Sequence, residues 1–203
     1  MLLSICIPTF NRAKLLDRCL CAIERALSST VDVQVEICIS DNASIDNTTE
    51  VCAKFFKALN INYQKNSRNL GFAYNLLSVV EMAKGDFVWV IGDDDMILPD
   101  SLLNLSRLLS ENQNCDYFFL NCYHLADDSK VFIDKTNGKL NFPSEANLHS
   151  KNRRDESLSF FELIHPRISF DFLAGIFLSV FRRHVWATCA SLVDKEKLKN
   201  AVN

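Results

Sequence analysis

Glycine is scarce in this chain: there are five in 203 residues, and none precedes Gly71. A G-x-G-x-x-G dinucleotide fingerprint and a P-loop both need clustered glycines, so that the backbone can close on phosphate. Neither has a place here. Paired cysteines are missing too. The eight cysteines (6, 19, 21, 38, 52, 115, 122 and 189) contain no C-x-x-C, and most lie among apolar neighbours, as in Ser4-Ile5-Cys6-Ile7. They read as reduced, buried thiols of a cytoplasmic protein rather than a disulfide framework or a zinc site. Basic excess is absent: the net charge is −3, which argues against nucleic acid as a partner. There is no long apolar run either. The longest, from Phe170 to Phe181, is too short to span a bilayer and contains Asp171. Arg182 and Arg183 follow it and would permit a peripheral membrane contact, although a buried strand ending in surface arginines explains them better. The N-terminus enters an apolar run at once, without the basic and long apolar regions of a signal peptide.

What is present is an alternation of strand and helix patterns. Hydrophobic residues make up 48% of the chain, enough for one large domain with a real core. Leu2 to Ile7 is an apolar strand closed by Pro8, and Leu15, Leu16, Cys19, Leu20, Ile23 and Leu27 mark one helix face. Val35 to Ile39 is a second strand, followed by a helix face at Val51, Cys52, Phe55, Phe56 and Leu59. Ile61 to Tyr63 is a third, followed by Phe72, Leu76, Val79, Val80 and Ala83. Phe87 to Ile91 is a fourth, followed by Leu102, Leu105, Leu108 and Leu109, with a further strand at Tyr117 to Cys122. Near-continuous apolar strands joined by helices predict an α/β fold: a mostly parallel sheet in a three-layer α/β/α arrangement. Such sheets bind ligands outside the carboxyl ends of their strands.

After Tyr123 the pattern changes. Residues 127–155 are polar, with an Asn137-Gly138 turn between Val131-Phe132-Ile133 and Leu140-Asn141-Phe142. That segment is either a small hairpin or a loop ordered by a ligand. Ile176 to Phe181 reads as one more strand.

Three polar clusters fall just after strands one, two and four. The first is Pro8-Thr9-Phe10-Asn11-Arg12, where Asn11 alone would pass for a helix cap. The second runs from Ser40 to Thr48; Ser44 or Asp46 can cap the next helix, while Asp41 at the strand end needs a partner for its carboxylate. The third is Gly92-Asp93-Asp94-Asp95, ahead of Pro99-Asp100-Ser101. Three successive carboxylates at the end of a buried strand repel one another, and a divalent cation is the usual remedy. Hard oxygen ligands select Mg²⁺ or Mn²⁺, and few protein ligands suffice when phosphate oxygens complete the shell. An acidic surface turn is the plainer alternative.

Taken with Asn69-Leu70-Gly71, these clusters resemble the inverting family 2 glycosyltransferases, whose GT-A fold is a nucleotide-binding α/β domain ending in a D-x-D type motif. The likeness runs from residue 3 to about residue 110 and continues more weakly through Phe177 to Arg183. It implies a bacterial enzyme that builds surface polysaccharide or lipopolysaccharide. The donor would be a nucleoside-diphosphate sugar, favouring UDP, and the acceptor a glycan or a lipid-linked glycan at the inner face of the cytoplasmic membrane. Carried over by position, Pro8, Thr9, Asn11 and Arg12 would line the nucleotide pocket with Asn42, Asn69 and Gly71. Asp41 would hydrogen-bond the base, Asp93 would touch ribose or sugar hydroxyls, and Asp94 or Asp95 would bind Mn²⁺ or Mg²⁺. Many members carry Asp where this chain has Gly92, which leaves the main metal ligand open between Asp94 and Asp95. The few glycines also set aside a nucleotidyltransferase, which shares the fold but needs a glycine-rich loop near its N-terminus.

The resemblance divides the chain into a nucleotide-sugar-binding part, 1–125, and an acceptor-side segment of the same domain, 126–203. It also implies a carboxylate general base, usually in a Glu-Asp pair after the strand matched by Phe177 to Arg183. No such pair is found there, and Asp194-Lys195-Glu196-Lys197 reads as a solvated helix face. Asp171, between Phe170 and Phe172, is the candidate that remains, with Glu162 next, while His165 before Pro166 reads as a loop histidine rather than a base. The expectation is therefore a chain incomplete at its C-terminus, and a non-catalytic nucleotide-sugar-binding module is the alternative to the enzyme.

Overall fold

Alternation along each strand decides which side of the sheet a residue covers. In β1 (Leu2–Thr9), Leu3, Ile5 and Ile7 face one helical layer and Cys6 the other; β2 (Gln34–Asp41) and β4 (Phe87–Val90) repeat this with Ile37 and Ile39 against Cys38, and with Phe87 and Trp89 against Val88 and Val90. The computed structural model of the chain describes residues 1–28, 33–120, 132–133, 140–141 and 179–185. Between those strands lie α1 (Ala13–Leu27), α2 (Thr48–Phe55), β3 (Ile61–Lys65), α3 (Phe72–Glu81) and α4 (Ser101–Glu111), with β5 (Tyr117–Phe119) after them. Helices α1, α2 and α4 cover one face, and α3 covers the other through Leu76, Val79 and Val80. Leu3, Ile5 and Ile7 are at most 1% exposed. Burying side chains of this size contributes about 1.5–3 kcal/mol each, which is why β1 can anchor the centre.

The six-stranded sheet has the order β3-β2-β1-β4-β8-β5, in which β8 is Ser179–Arg182. The neighbours β1, β2, β3 and β4 are parallel, whereas β8 runs antiparallel to both β4 and β5. The expected parallel series therefore holds for four strands. Its fifth member, β5, does not sit beside β4, because the late strand is inserted between them. The polar segment does form a hairpin, pairing β6 (Phe132–Ile133) with β7 (Leu140–Asn141).

Arg182 differs from the expected surface arginine. Its Nε donates to the Cys115 carbonyl at 3.3 Å, its Nη2 to the Gln113 carbonyl, and its guanidinium stacks 4.6 Å from the centre of the Phe87 ring. It thus ties β8 to the start of β5. No helix among the described residues is long and apolar enough to cross a membrane. Among the described residues Cys6, Cys19, Cys38 and Cys52 are buried, and all six described cysteines are unbridged.

The chain moves outward from β1 to β2 to β3 and then returns to the other side of β1 as β4. The direction of winding reverses between β1 and β4, and a crevice opens at their carboxyl ends. At the opposite end of the same strands a buried polar knot closes the sheet. Ser4 Oγ donates to Glu36 Oε1 (2.5 Å), which also accepts the N–H groups of Lys84 (2.6 Å) and Gly85 (3.2 Å).

A methyl group on Gly85 would lie 2.6 Å from Ser4 Oγ and 2.8 Å from both the Leu2 carbonyl and the Ser4 nitrogen. Two of these are backbone atoms that cannot rotate away. Gly85→Ala is expected to destabilise the fold by about 1–3 kcal/mol, read as a lower urea midpoint with an unchanged m-value.

Candidate functional site

The crevice is a cavity of about 590 Å³. The end of β1 and its loop contribute Pro8, Thr9, Phe10 and Arg12; the β2 end contributes Asn42; the entry to α3 contributes Asn69, Gly71, Phe72 and Asn75; and Gly92, Asp93, Asp94 and Asp95 follow β4. Nine residues expected from the sequence thus meet around one cavity: Pro8, Thr9, Arg12, Asn42, Asn69, Gly71 and the three aspartates. Asn11 and Asp41 do not line it, and Asp171 lies outside the described residues, as do Glu162 and His165.

The acidic end is already partnered. Thr9 Oγ1 donates to Asp93 Oδ2 (2.8 Å), and the Arg12 fork reaches Asp93 Oδ1 with Nη1 (2.8 Å) and Asp94 Oδ2 with Nη2 (2.6 Å). The Asp93 side chain is 4% exposed and that of Asp94 is 51% exposed. Burial pushes the Asp93 carboxyl above its ordinary range, against the pull of the Thr9 hydroxyl and Arg12. For Arg12, burial acts to lower the pKa, but the hydrogen bond to Asp94 and the charges of Asp93, Asp94 and Asp95 together raise it. The Asp95 carboxylate folds back to accept the Gly92 N–H (2.7 Å). A Cβ on Gly92 would meet Asp94 Oδ1 at 2.7 Å and Asp95 Oδ2 at 3.1 Å. A larger residue at Gly92 would make these two carboxylate ends shift.

A cation is therefore not the only offset for the triplet, as the sequence implied; Arg12, Thr9 and a backbone N–H share that work. Among the described residues no group of three His, Cys, Asp or Glu side chains holds a metal by itself. The half-exposed Asp94 is a hard oxygen donor on the cavity wall. It fits Mg²⁺ or Mn²⁺ of the kind bound through one or two carboxylates, with phosphate oxygens completing the shell.

Two loops clasp each other beneath the cavity. Asn11 (φ 54°) and Ala43 (φ 66°) both adopt left-handed backbone, a conformation that costs a non-glycine residue roughly 1–2 kcal/mol. It is held by pairs of bonds across the loops. Asn11 N–H donates to Ser44 Oγ (2.8 Å), Asn11 Oδ1 accepts the Ile45 N–H (2.8 Å), and Asp46 Oδ2 accepts the Ala13 N–H (3.0 Å). Asn11 therefore does not cap α1. Its turn aims Arg12 at the aspartates, and Asp46 caps α1 from across the cleft. Asp41 is fully buried, with Oδ1 accepting the Ser44 N–H (2.8 Å) and Oδ2 accepting the Tyr63 hydroxyl (2.7 Å). The open carboxylate expected for a nucleobase is thus occupied by Tyr63.

The third wall is an amide network. Asn42 Nδ2 donates to Asn69 Oδ1 (2.7 Å), and Asn42 Oδ1 accepts the Leu70 N–H (2.8 Å). Buried Asn75 donates to the Ser40 carbonyl (2.9 Å) and accepts from Ser40 Oγ (2.7 Å). Gly71, at φ 82° and ψ 163°, takes a conformation open essentially to glycine alone. The sequence reading missed Asn75, Tyr63, Phe10 and Phe72. Asn75 had a signal, a lone amide in the apolar face of α3. Phe72 was assigned to that face, yet it is 53% exposed and lines the cavity.

Comparison with known proteins bears on the family and the fold. Residues 4–169 match the family described as Glycosyl transferase family 2. The abequosyltransferase RfbV of Salmonella typhimurium is 41% identical over 121 residues, covering 57% of this chain and 36% of that protein. The chondroitin synthase of Pasteurella multocida is 35% identical over 108 residues, covering 50% of this chain and 10% of that one. The chain thus spans a minor part of the length of these relatives. Residues 1–349 of S. aureus TarS, solved in complex with UDP-GlcNAc, superpose with a TM-score of 0.60 at 19% identity, covering 90% of this chain and 46% of that one. That likeness shows the three-layer α/β fold.

The clasp carries a pH signature. Burial acts to raise the Asp46 pKa, but the Thr48 hydroxyl and the Ala13 and Thr48 N–H groups prevail and hold it below the ordinary value. A depressed carboxyl contributes stability above its unfolded pKa and loses it as pH falls through the folded one. Asp46→Ala should lower the urea midpoint at pH 7, and the gap from the native chain should narrow only below about pH 4.

Proposed function

We propose, from the premise that the chain belongs to glycosyl transferase family 2, that it binds a nucleoside-diphosphate sugar in the crevice between β1 and β4 and passes the sugar to a glycan or lipid-linked acceptor. The observation that carries this reading is the meeting of Thr9, Arg12, Asp93 and Asp94 at the winding reversal of a GT-A sheet. That point offers charge and hydrogen-bond donors to a diphosphate beside polar groups suited to sugar hydroxyls.

In this reading Asn42, Asn69 and the backbone at Gly71 hold the nucleoside. Phe10 and Phe72, both exposed and lining the cavity, give flat apolar surface to the base or sugar. Asp41 accepts a base N–H once the Tyr63 hydroxyl yields Oδ2, a geometry that favours a uracil-type base. Asp93, held by Thr9, faces ribose or sugar hydroxyls. Asp94, with Asp95 beside it, holds Mn²⁺ or Mg²⁺, which supplies positive charge to the leaving diphosphate.

The acceptor hydroxyl attacks the anomeric carbon from the face opposite the diphosphate, so the configuration inverts. The bond from that carbon to the phosphate oxygen breaks, and the electron pair leaves with the diphosphate. Arg12 stabilises that charge. A carboxylate takes the acceptor proton; Asp171 is our candidate. The acceptor places the chain in polysaccharide or lipopolysaccharide synthesis, at the inner face of the cytoplasmic membrane.

Calorimetric titration of UDP, dTDP, CDP and GDP, with and without Mn²⁺, tests the donor site. One nucleotide should bind in a metal-dependent way, with affinity reduced about tenfold or more in Asp94→Asn and Asp41→Ala. Native protein that binds none of the four under any condition would refute the assignment. Binding without sugar transfer to any acceptor extract would leave the chain a donor-binding module.

A further inference from the structure

Arg12 is fixed from both sides. The left-handed turn at Asn11 is locked by Ser44 and Ile45, and the N–H of Ala13 is locked by Asp46. Its two nitrogens divide between unlike partners. Nη1 meets Asp93, which is almost fully buried and already bonded to Thr9; Nη2 meets Asp94, which is half exposed to the cavity. One arm of the fork is therefore anchored in the protein. The other is an exposed pair of the kind that water and salt screen readily.

We propose that Arg12 is a resident counter-cation that exchanges with the divalent metal, an inference that rests on the donor-site reading above. With the site empty, Arg12 pairs with both Asp93 and Asp94. A cation arriving alone must take Asp94 from Arg12 and gains few protein oxygens in return, so the free chain holds metal weakly. When a diphosphate arrives with the cation, Asp94 passes to the metal. The Nη2 arm then donates to a diphosphate oxygen, while Nη1 stays on Asp93. The exchange makes metal uptake and nucleotide uptake depend on one another, and it leaves neither aspartate unpaired.

Mn²⁺ alone is titrated into the native chain, Arg12→Gln, Arg12→Lys and Lys14→Gln, following the loss of the aqueous Mn²⁺ paramagnetic resonance signal. The four nucleoside diphosphates are then titrated at saturating Mn²⁺. Arg12→Gln should bind Mn²⁺ about tenfold more tightly than the native chain and the nucleotide about tenfold more weakly. Arg12→Lys keeps the charge but loses the rigid planar fork and should fall between; it carries the test if urea unfolding shows that Arg12→Gln does not fold. Lys14, exposed on the first turn of α1 and outside the cavity lining, is the control: Lys14→Gln removes the same charge and should change neither affinity. Equal or weaker Mn²⁺ binding by Arg12→Gln, or an equal gain in Lys14→Gln, overturns the exchange. Tighter Mn²⁺ binding with unchanged nucleotide affinity overturns the transfer of the arm to the diphosphate. If the native chain binds no nucleotide at all, the donor-site reading itself fails, whatever the metal titration shows.

Discussion

A carboxylate buried between the ends of two parallel strands governs this structure. Asp93 closes β4 at the point where the winding reverses, and its side chain is withdrawn from water. An ionised carboxylate there must be answered by donors, or it would neutralise. Thr9, at the end of the neighbouring strand, gives one hydroxyl. Arg12, three residues further, gives a guanidinium arm. The conformation of the whole β1–α1 turn follows from that demand, because the chain must bend back on itself within three residues to bring both groups to one side chain.

That bend is strained, and the strain is borne by the adjacent loop. Asn11 and Ala43 are both left-handed, and each loop supplies the other's missing hydrogen-bond partners through Ser44, Ile45 and Asp46. Asp41, sealed beneath, fixes Ser44 and Tyr63 together. The cavity wall is thus a surface on an interlocked pair of loops over a rigid sheet, rather than a row of independent side chains. Such over-determination is what lets a sparsely populated backbone conformation persist.

Much of this was legible in the residues themselves. The apolar runs ending at Ile7, Ile39 and Ile91 located the strand ends to within two residues of Thr9, Asp41 and Val90, and a parallel sheet directs attention to those ends. The polar clusters at 8–12 and 92–95 consequently met at one cavity, joined by Asn42 from the cluster at 40–48. Pairings between distant residues were not legible. Nothing local says that Arg12 meets Asp94, that Tyr63 covers Asp41, or that β8 separates β4 from β5. Periodicity reports which face of an element is apolar, not which element lies beside it. It also misassigned Phe72, whose place in the apolar spacing of α3 coincides with the first turn, where the helix emerges into the cavity.

The insertion of β8 carries a further consequence for how the protein is made. The strand that ends in the aspartates pairs on one side with β1 and on the other with residues 179–182. During synthesis, the first four strands emerge from the ribosome with the outer edge of β4 unpaired, and it stays so for some ninety residues' worth of translation. Sheet completion is then a contact of long sequence separation, which folds slowly and leaves an open strand edge exposed to other chains. The segments that line the cavity are translated before β8, so β4 acquires its final neighbour late.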